Sequence, residues 1–202
     1  PGIDAGTYIG LPFAGSAPDM GAYEYGVLNG SVAIPDTMDR HVGTGQTYDT
    51  IQHAVNNATD GDRIIVHAGS YDENVIIVNK TLVVMAYGTD VPQLTGSIGG
   101  AYAFNVTSNE YDDISIIGFE IFCEYVTYGI YINGAANVNV ANNTLRSVTK
   151  GIYLDPIYGD IEVYNNTIES GYNSAYGIYV DDAWGDLRIN NNNITLAGIG
   201  VG

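Results

Sequence analysis

Tyr131, Tyr153 and Tyr179 recur once in each of three successive repeats, and Asn133, Asp155 and Asp181 follow them two positions later. Aromatic rings beside carboxylates can stack on sugar rings and hold hard cations such as Ca²⁺. The same rings can stack on one another or pack against a neighbouring subunit, and that plainer role is preferred for Tyr131, Tyr153, Tyr179, Asp155 and Asp181. Asp4, Asp19 and Glu24 form a second set of hard oxygen donors that suits Ca²⁺. No cofactor is required on this reading, and calcium is the ion the donors permit. Asp112-Asp113 and Asp181-Asp182 are the carboxylate pairs a hydrolase could use, yet loop carboxylates near turns are ordinary. His41, His53 and His67 lack metal-ligand spacing, and His53 falls on the surface of an expected helix. No nucleophile–base arrangement is visible, so no residue is assigned a catalytic role.

The bulk properties narrow the partners. The chain has 202 residues, 46% of them hydrophobic, which is enough for one domain with a sizeable core. Six Lys and Arg stand against 23 Asp and Glu, a net charge of −17. That argues against nucleic acid and anionic membranes as partners, because neutralising phosphate needs basic groups. No apolar run reaches the roughly 18 residues of a membrane span. The chain begins at Pro1 without a signal-peptide pattern and reads as a mature or excised piece of something longer. Cys123, the one cysteine, rules out an internal disulfide framework. Its plain role is a small buried hydrophobe; its sharper one is an intermolecular bridge or reactive thiol. Sequons at Asn29, Asn57, Asn79, Asn105, Asn142, Asn165 and Asn193 point to an extracellular or cell-surface, glycosylated chain. Part of that Asn content has a structural cause.

The elements that must position these residues are repeats. Segments beginning at Ile114, Val138, Ile161 and Leu187 align at intervals of 24, 23 and 26 residues. Within them Val138, Val140 and Leu145, Ile161, Val163 and Ile168, and Leu187, Ile189 and Ile194 alternate with polar residues, the period-two signature of strands. A second strand follows in each unit, at Ile130-Ile132, Ile152-Leu154, Ile178-Val180 and Ile199-Val201. Coils of this length, stacked at roughly 4.8 Å, predict an all-β fold: a right-handed parallel β-helix with a short N-terminal capping helix. Asn143, Asn166 and Asn192 fall at one turn position in successive coils, where stacked amides can satisfy turn backbone and one another. The register also sets Glu162 between Asn139 and Arg188 and brings Arg146 beside Glu169. Ile51, Ala54 and Val55 have helical spacing, with Thr47 or Asp49 as the expected N-cap. That helix would cover the open bottom of the apolar core.

The stretch from Thr50 to Gly88 carries a helix, then Gly61-Asp62, then the strand Ile64 to Val66, then Gly69-Ser70-Tyr71-Asp72-Glu73. In that order it closely resembles the opening of pectin-lyase-like right-handed β-helix proteins, and the later coils resemble their repeats, so the likeness covers about residues 45–202. Residues 1–25 resemble the closing segment of similar extracellular proteins. The expected organisation is therefore a closing-type segment (1–25), a linker (26–45) and the β-helix with its capping helix (46–202). The resemblance implies a microbial, notably archaeal, surface setting. It also implies an alternative, because lyases of this fold use bound Ca²⁺ and a basic residue to abstract a proton beside a carboxylate. Arg40, Arg63, Lys80, Arg146, Lys150 and Arg188 are the available bases, none in a recognisable catalytic motif. The reading preferred is a non-enzymatic structural unit of a surface layer, sheath or filament. Its expected partners are copies of itself, with glycans second. The alternative is a carbohydrate-active β-helix, either a polysaccharide lyase or a sugar-binding adhesin.

Overall fold

The structure, a computed structural model, describes residues 38–96, 100–170 and 175–196. Each complete coil contributes one strand to each of three parallel sheets. The first sheet stacks β1 (Asp39–Val42), β2 (Arg63–Val66), β5 (Leu82–Ala86), β8 (Ile114–Ile117), β11 (Val138–Ala141), β14 (Ile161–Tyr164) and β17 (Leu187–Asn190). The second stacks β3 (Ser70–Asp72), β6 (Gln93–Thr95), β9 (Glu120–Phe122), β12 (Thr144–Arg146), β15 (Thr167–Ser170) and β18 (Asn193–Leu196). The third stacks β4 (Val75–Val78), β7 (Tyr102–Thr107), β10 (Tyr128–Asn133), β13 (Lys150–Leu154) and β16 (Tyr176–Val180). The fold is a parallel β-helix, as the repeat predicts.

Register follows from the inward columns. Ile114, Val138, Ile161 and Leu187 align across four coils, as do Ile116, Val140, Val163 and Ile189. Ile121, Leu145, Ile168 and Ile194 do the same in the second sheet. Phe104, Ile130, Ile152 and Ile178 line the third. Burying one such side chain contributes about 1.5–3 kcal/mol. A one-residue slip would turn a whole apolar column outward, so the pattern holds the register tightly. On the last described coil Leu187, Ile189 and Ile194 occupy these same inward columns but are 49%, 43% and 42% exposed.

The bend between the first and second sheets explains the paired asparagines. Gly118, Asn142, Asn165 and Asn191 take φ of 87°, 57°, 56° and 54° at this turn. Asn tolerates the left-handed region better than other side chains, and Gly118 is required where a Cβ would lie 2.9 Å from the Ala86 Cβ. The residue after each left-handed one turns inward. The Asn143 amide oxygen accepts the Phe119 N–H at 3.0 Å, and its Nδ2 donates to the Ile116 carbonyl and to Asn166 Oδ1. Asn166 Oδ1 also accepts the Asn143 backbone N–H, and Asn192 Oδ1 accepts that of Asn166, both at 3.0 Å. Asn166 Nδ2 donates to Val140 O and Asn192 Oδ1, while Asn192 Nδ2 donates to Val163 O. The predicted ladder of Asn143, Asn166 and Asn192 is therefore present.

The bottom of the solenoid is closed by α1 (Ile51–Asn57), whose Ile51, Ala54 and Val55 are buried. Its N-cap is Thr50, whose hydroxyl accepts the His53 N–H, rather than Thr47 or Asp49. Residues 43–48 are tied back to β1 by Gly43 N–H to Tyr48 O and Tyr48 N–H to His41 O, so the helix starts only after them. β1 itself lies inside the stretch expected as linker, residues 26–45. Its four residues pair in register with Arg63–Val66, so this part of the expected linker is the first strand of the solenoid. The expected closing segment, residues 1–25, lies outside the described residues.

Asn166→Ala removes five side-chain hydrogen bonds from a site closed to water. It is expected to destabilise the fold by about 2 kcal/mol or more, read as a lowered urea midpoint. Asn192→Ala, at a more exposed rung, is expected to cost clearly less; equal losses would deny the ladder its role.

Candidate functional site

The outward face of the third sheet carries the tyrosines. Strict alternation would put Tyr128 and Tyr131 on opposite faces, yet both point outward because Gly129 and Ile130 between them are both buried. Glycine makes that step possible: a Cβ on Gly129 would lie 2.6 Å from Leu145 Cδ2, and one on Gly151 2.4 Å from Gly177 O. Two columns result. Tyr131, Tyr153 and Tyr179 align in one, as expected, with Asn105 below them. Tyr102, Tyr128, Lys150 and Tyr176 align in the other, which the spacing argument missed. The signal available was the Tyr/Lys three residues before each predicted tyrosine.

Tyr153 stacks on Tyr179 with ring centroids 4.6 Å apart and 15° between planes, and on Tyr131 at 5.7 Å and 24°. Tyr102 stacks on Tyr128 at 5.0 Å. Lys150 Nζ lies 4.6 Å and 5.2 Å from the centres of the Tyr128 and Tyr153 rings and donates to the Tyr128 hydroxyl at 3.0 Å. Asn133 follows Tyr131, and Asp155 and Asp181 continue the sheet's edge beside the column. Burial, and then repulsion from Asp181 and Asp182, raise the Asp155 carboxyl above its ordinary range. Burial, then the Tyr179 hydroxyl and the Asp155 and Asp181 carboxylates, pushes up the Tyr153 hydroxyl.

The basic residues are all engaged. Arg40 donates to Asp62 at 2.7 Å and to the Tyr48 hydroxyl. Arg63 pairs bidentately with Asp39. Lys80 donates to the Val55 and Ala58 carbonyls at 2.7 Å, closing the C-terminal end of α1. Arg146 bridges Glu120 and Glu169, and holds the Glu120 carboxyl below its ordinary range. Arg188 pairs with Asp186 and Glu162, the latter stacked on Asn139 as expected. The motif acids are equally occupied. Glu73 accepts the Ile51 and Gln52 N–H groups at the start of α1. Asp62 is fully buried; burial works to raise its carboxyl, but N–H bonds from Thr59 and Met38 and the Arg40 pair outweigh it and leave it lowered.

The sequons divide by backbone. Asn79, Asn142 and Asn165 are exposed left-handed turn residues, so their abundance has the conformational cause given above. Asn57 ends α1 and Asn193 begins β18, both exposed. Asn105 sits mid-strand with its Oδ1 buried and without a hydrogen-bond partner among the described residues. Asn29 and the proposed Ca²⁺ donors Asp4, Asp19 and Glu24 lie outside the described residues.

A parallel three-sheet solenoid with an inward amide ladder and a capped bottom defines a right-handed β-helix of the pectin-lyase-like class. The chain belongs to the family described as periplasmic copper-binding protein (NosD), which it matches over residues 55–201. It is also 30% identical, over 139 residues, to a cell surface glycoprotein of Methanothermus fervidus. That similarity covers 68% of this chain but only 18% of the glycoprotein's length. No solved structure matches. The chain is an extracellular or cell-surface protein, and no helix among its described residues is long and apolar enough to cross a membrane.

Copper takes imidazole, thiolate and thioether donors. Within residues 55–201 these are His67, Met85 and Cys123. Cys123 does not fit: it is 2% exposed, and burial pushes its thiol up to about 12, so it stays protonated. Among the described residues no three His, Cys, Asp or Glu side chains gather as a metal site, and calcium gains no support there.

Two outcomes follow. Cys123 is expected to resist iodoacetamide in the folded protein and to react fully in urea; fast labelling of the native chain would restore the reactive-thiol reading. Because the folded Asp155 carboxyl binds its proton more tightly than the unfolded one, it costs stability at neutral pH. Asp155→Asn should raise the urea midpoint near pH 7, and the gain should shrink as pH falls and vanish below the ordinary value of 3.8.

Proposed function

We propose that the chain is a non-enzymatic structural unit of a microbial cell surface, a β-helical block that assembles end to end or side by side into a layer, sheath or filament. The observation that carries this reading is the occupation of its chemical groups. Each of the six Lys and Arg side chains is held by a carboxylate, a phenol or a helix carbonyl, whereas a proton-abstracting base must be neutral and free to meet substrate. The tyrosine faces are covered by neighbouring rings, which leaves edges and hydroxyls, rather than flat faces, for a partner. That favours packing against another surface over stacking on a sugar. Exposed sequons at Asn57, Asn79, Asn142, Asn165 and Asn193 suit a glycoprotein. Similarity to a surface glycoprotein supports the setting, and the copper in the family's name is not part of this proposal.

A second reading, a sugar-binding adhesin or lyase, rests on the tyrosine hydroxyls and the Asp155 and Asp181 carboxylates sharing one outward edge. Negative-stain electron microscopy at micromolar concentration separates the two. Ordered polymers are expected from the parent chain. They should be lost in Ile189→Asp if the ends join, or in Tyr153→Asp if the sides do. Dispersed particles, with unsaturated products absorbing in the ultraviolet after incubation with polyuronate, would overturn the structural reading in favour of the lyase.

A further inference from the structure

We propose that His41 and His67 form a two-imidazole site for a divalent transition-metal ion. They are 26 residues apart, one coil of the solenoid, and Nδ1 of His41 lies 3.0 Å from Nε2 of His67. Scattered in sequence, they meet because the first two coils stack. His41 is on β1, ahead of the span matched to the family, so the pair is a property of this chain's own first coil.

Tyr87 and Asp90 flank the two rings. One coil further on, Tyr87 stacks on His67 with centroids 4.3 Å apart and 29° between planes, and meets His41 edge-on at 6.0 Å. Asp90 Oδ2 stands 3.7 Å from Nδ1 of His67 while accepting the Ala68 N–H at 2.9 Å. That places a carboxylate beside the remote nitrogen of His67, where carboxylates orient metal-bound imidazoles. The His67 side chain is 21% exposed, so an ion can reach the pair from solvent. The net charge of −17 raises the local concentration of cations around it.

Imidazole nitrogens take Cu²⁺ ahead of Ni²⁺ and Zn²⁺ in the general order of affinity, with water completing the shell. Without the ion, the 3.0 Å separation is an N–H···N hydrogen bond. Binding replaces that bond and needs each ring to pivot so that the two lone pairs meet off the line joining them. This inference does not depend on whether the chain assembles.

The test is titration of the whole chain with Cu²⁺ and with Ni²⁺ near pH 7.5, with glycine present to suppress scattered carboxylate binding, and electron paramagnetic resonance of the copper-loaded protein. One ion per chain is expected, with hyperfine coupling from two nitrogens and Cu²⁺ bound more tightly than Ni²⁺. His41→Gln and His67→Gln, which keep a polar side chain in the pair, should each weaken Cu²⁺ at least tenfold. Asp90→Asn should weaken it by about tenfold, and His53→Gln should leave it unchanged. Melting curves without metal confirm that each variant folds, and the parent's melting temperature should rise with Cu²⁺ where those of the His41 and His67 variants do not. Equal affinity in parent, His41→Gln and His67→Gln, or a spectrum with oxygen ligands alone, would overturn the site.

Discussion

An amide turned into the core is the interaction on which this solenoid depends. A chain that bends sharply between two buried sheets leaves backbone N–H and C=O groups where water cannot reach them. Asn143, Asn166 and Asn192 answer that demand one coil at a time, each oxygen accepting the N–H of the coil before it and each NH₂ returning a bond to that coil's carbonyl. Leaving one such group unpaired costs about 1–3 kcal/mol, and the turn recurs in four successive coils. Against a net stability of about 5–15 kcal/mol, a few uncompensated turns would erase the fold. The left-handed residue before each amide makes the inward turn possible, so the Asn pair acts as a single device.

The residues that carry the strongest family likeness serve the same end at the bottom of the stack. Asp62 gathers the Met38 and Thr59 N–H groups and the Arg40 guanidinium. Glu73 receives the first two N–H groups of α1, and Lys80 the last carbonyls. Tyr71 reaches across to the His67 carbonyl at 2.8 Å. A signature built from such residues marks how the first coil is closed. It therefore identifies the fold while leaving the activity unspecified, since function resides in groups grafted onto a fold.

Outward, the same stacking turns single residues into columns. Arg146 and Arg188 each find acids on adjacent coils, and six tyrosines lie on one sheet. The pairings of Glu162 with Arg188, Arg146 with Glu169, and Tyr131 with Tyr153 and Tyr179 were legible because all follow directly from the repeat interval. Tyr128 and its column were not, because the Gly129, Gly151 and Gly177 steps break alternation and only packing reveals that two adjacent residues can both face inward. The His41–His67 contact was hidden for a different reason. β1 precedes the recognisable repeats, and nothing in its four residues announces that it pairs with β2.

The sequence by itself determined the class of fold, the coil length, the inward columns and the position of the amide ladder. These follow from period-two alternation and a recurring turn, which are local and repeat along the chain. Tertiary structure decided which outward groups meet. A contact between neighbouring coils depends on registers set by turns of unequal length and on where the first strand begins. The true N-cap at Thr50, the second tyrosine column and the paired imidazoles all rest on such three-dimensional coincidences, for which a linear pattern holds no signal.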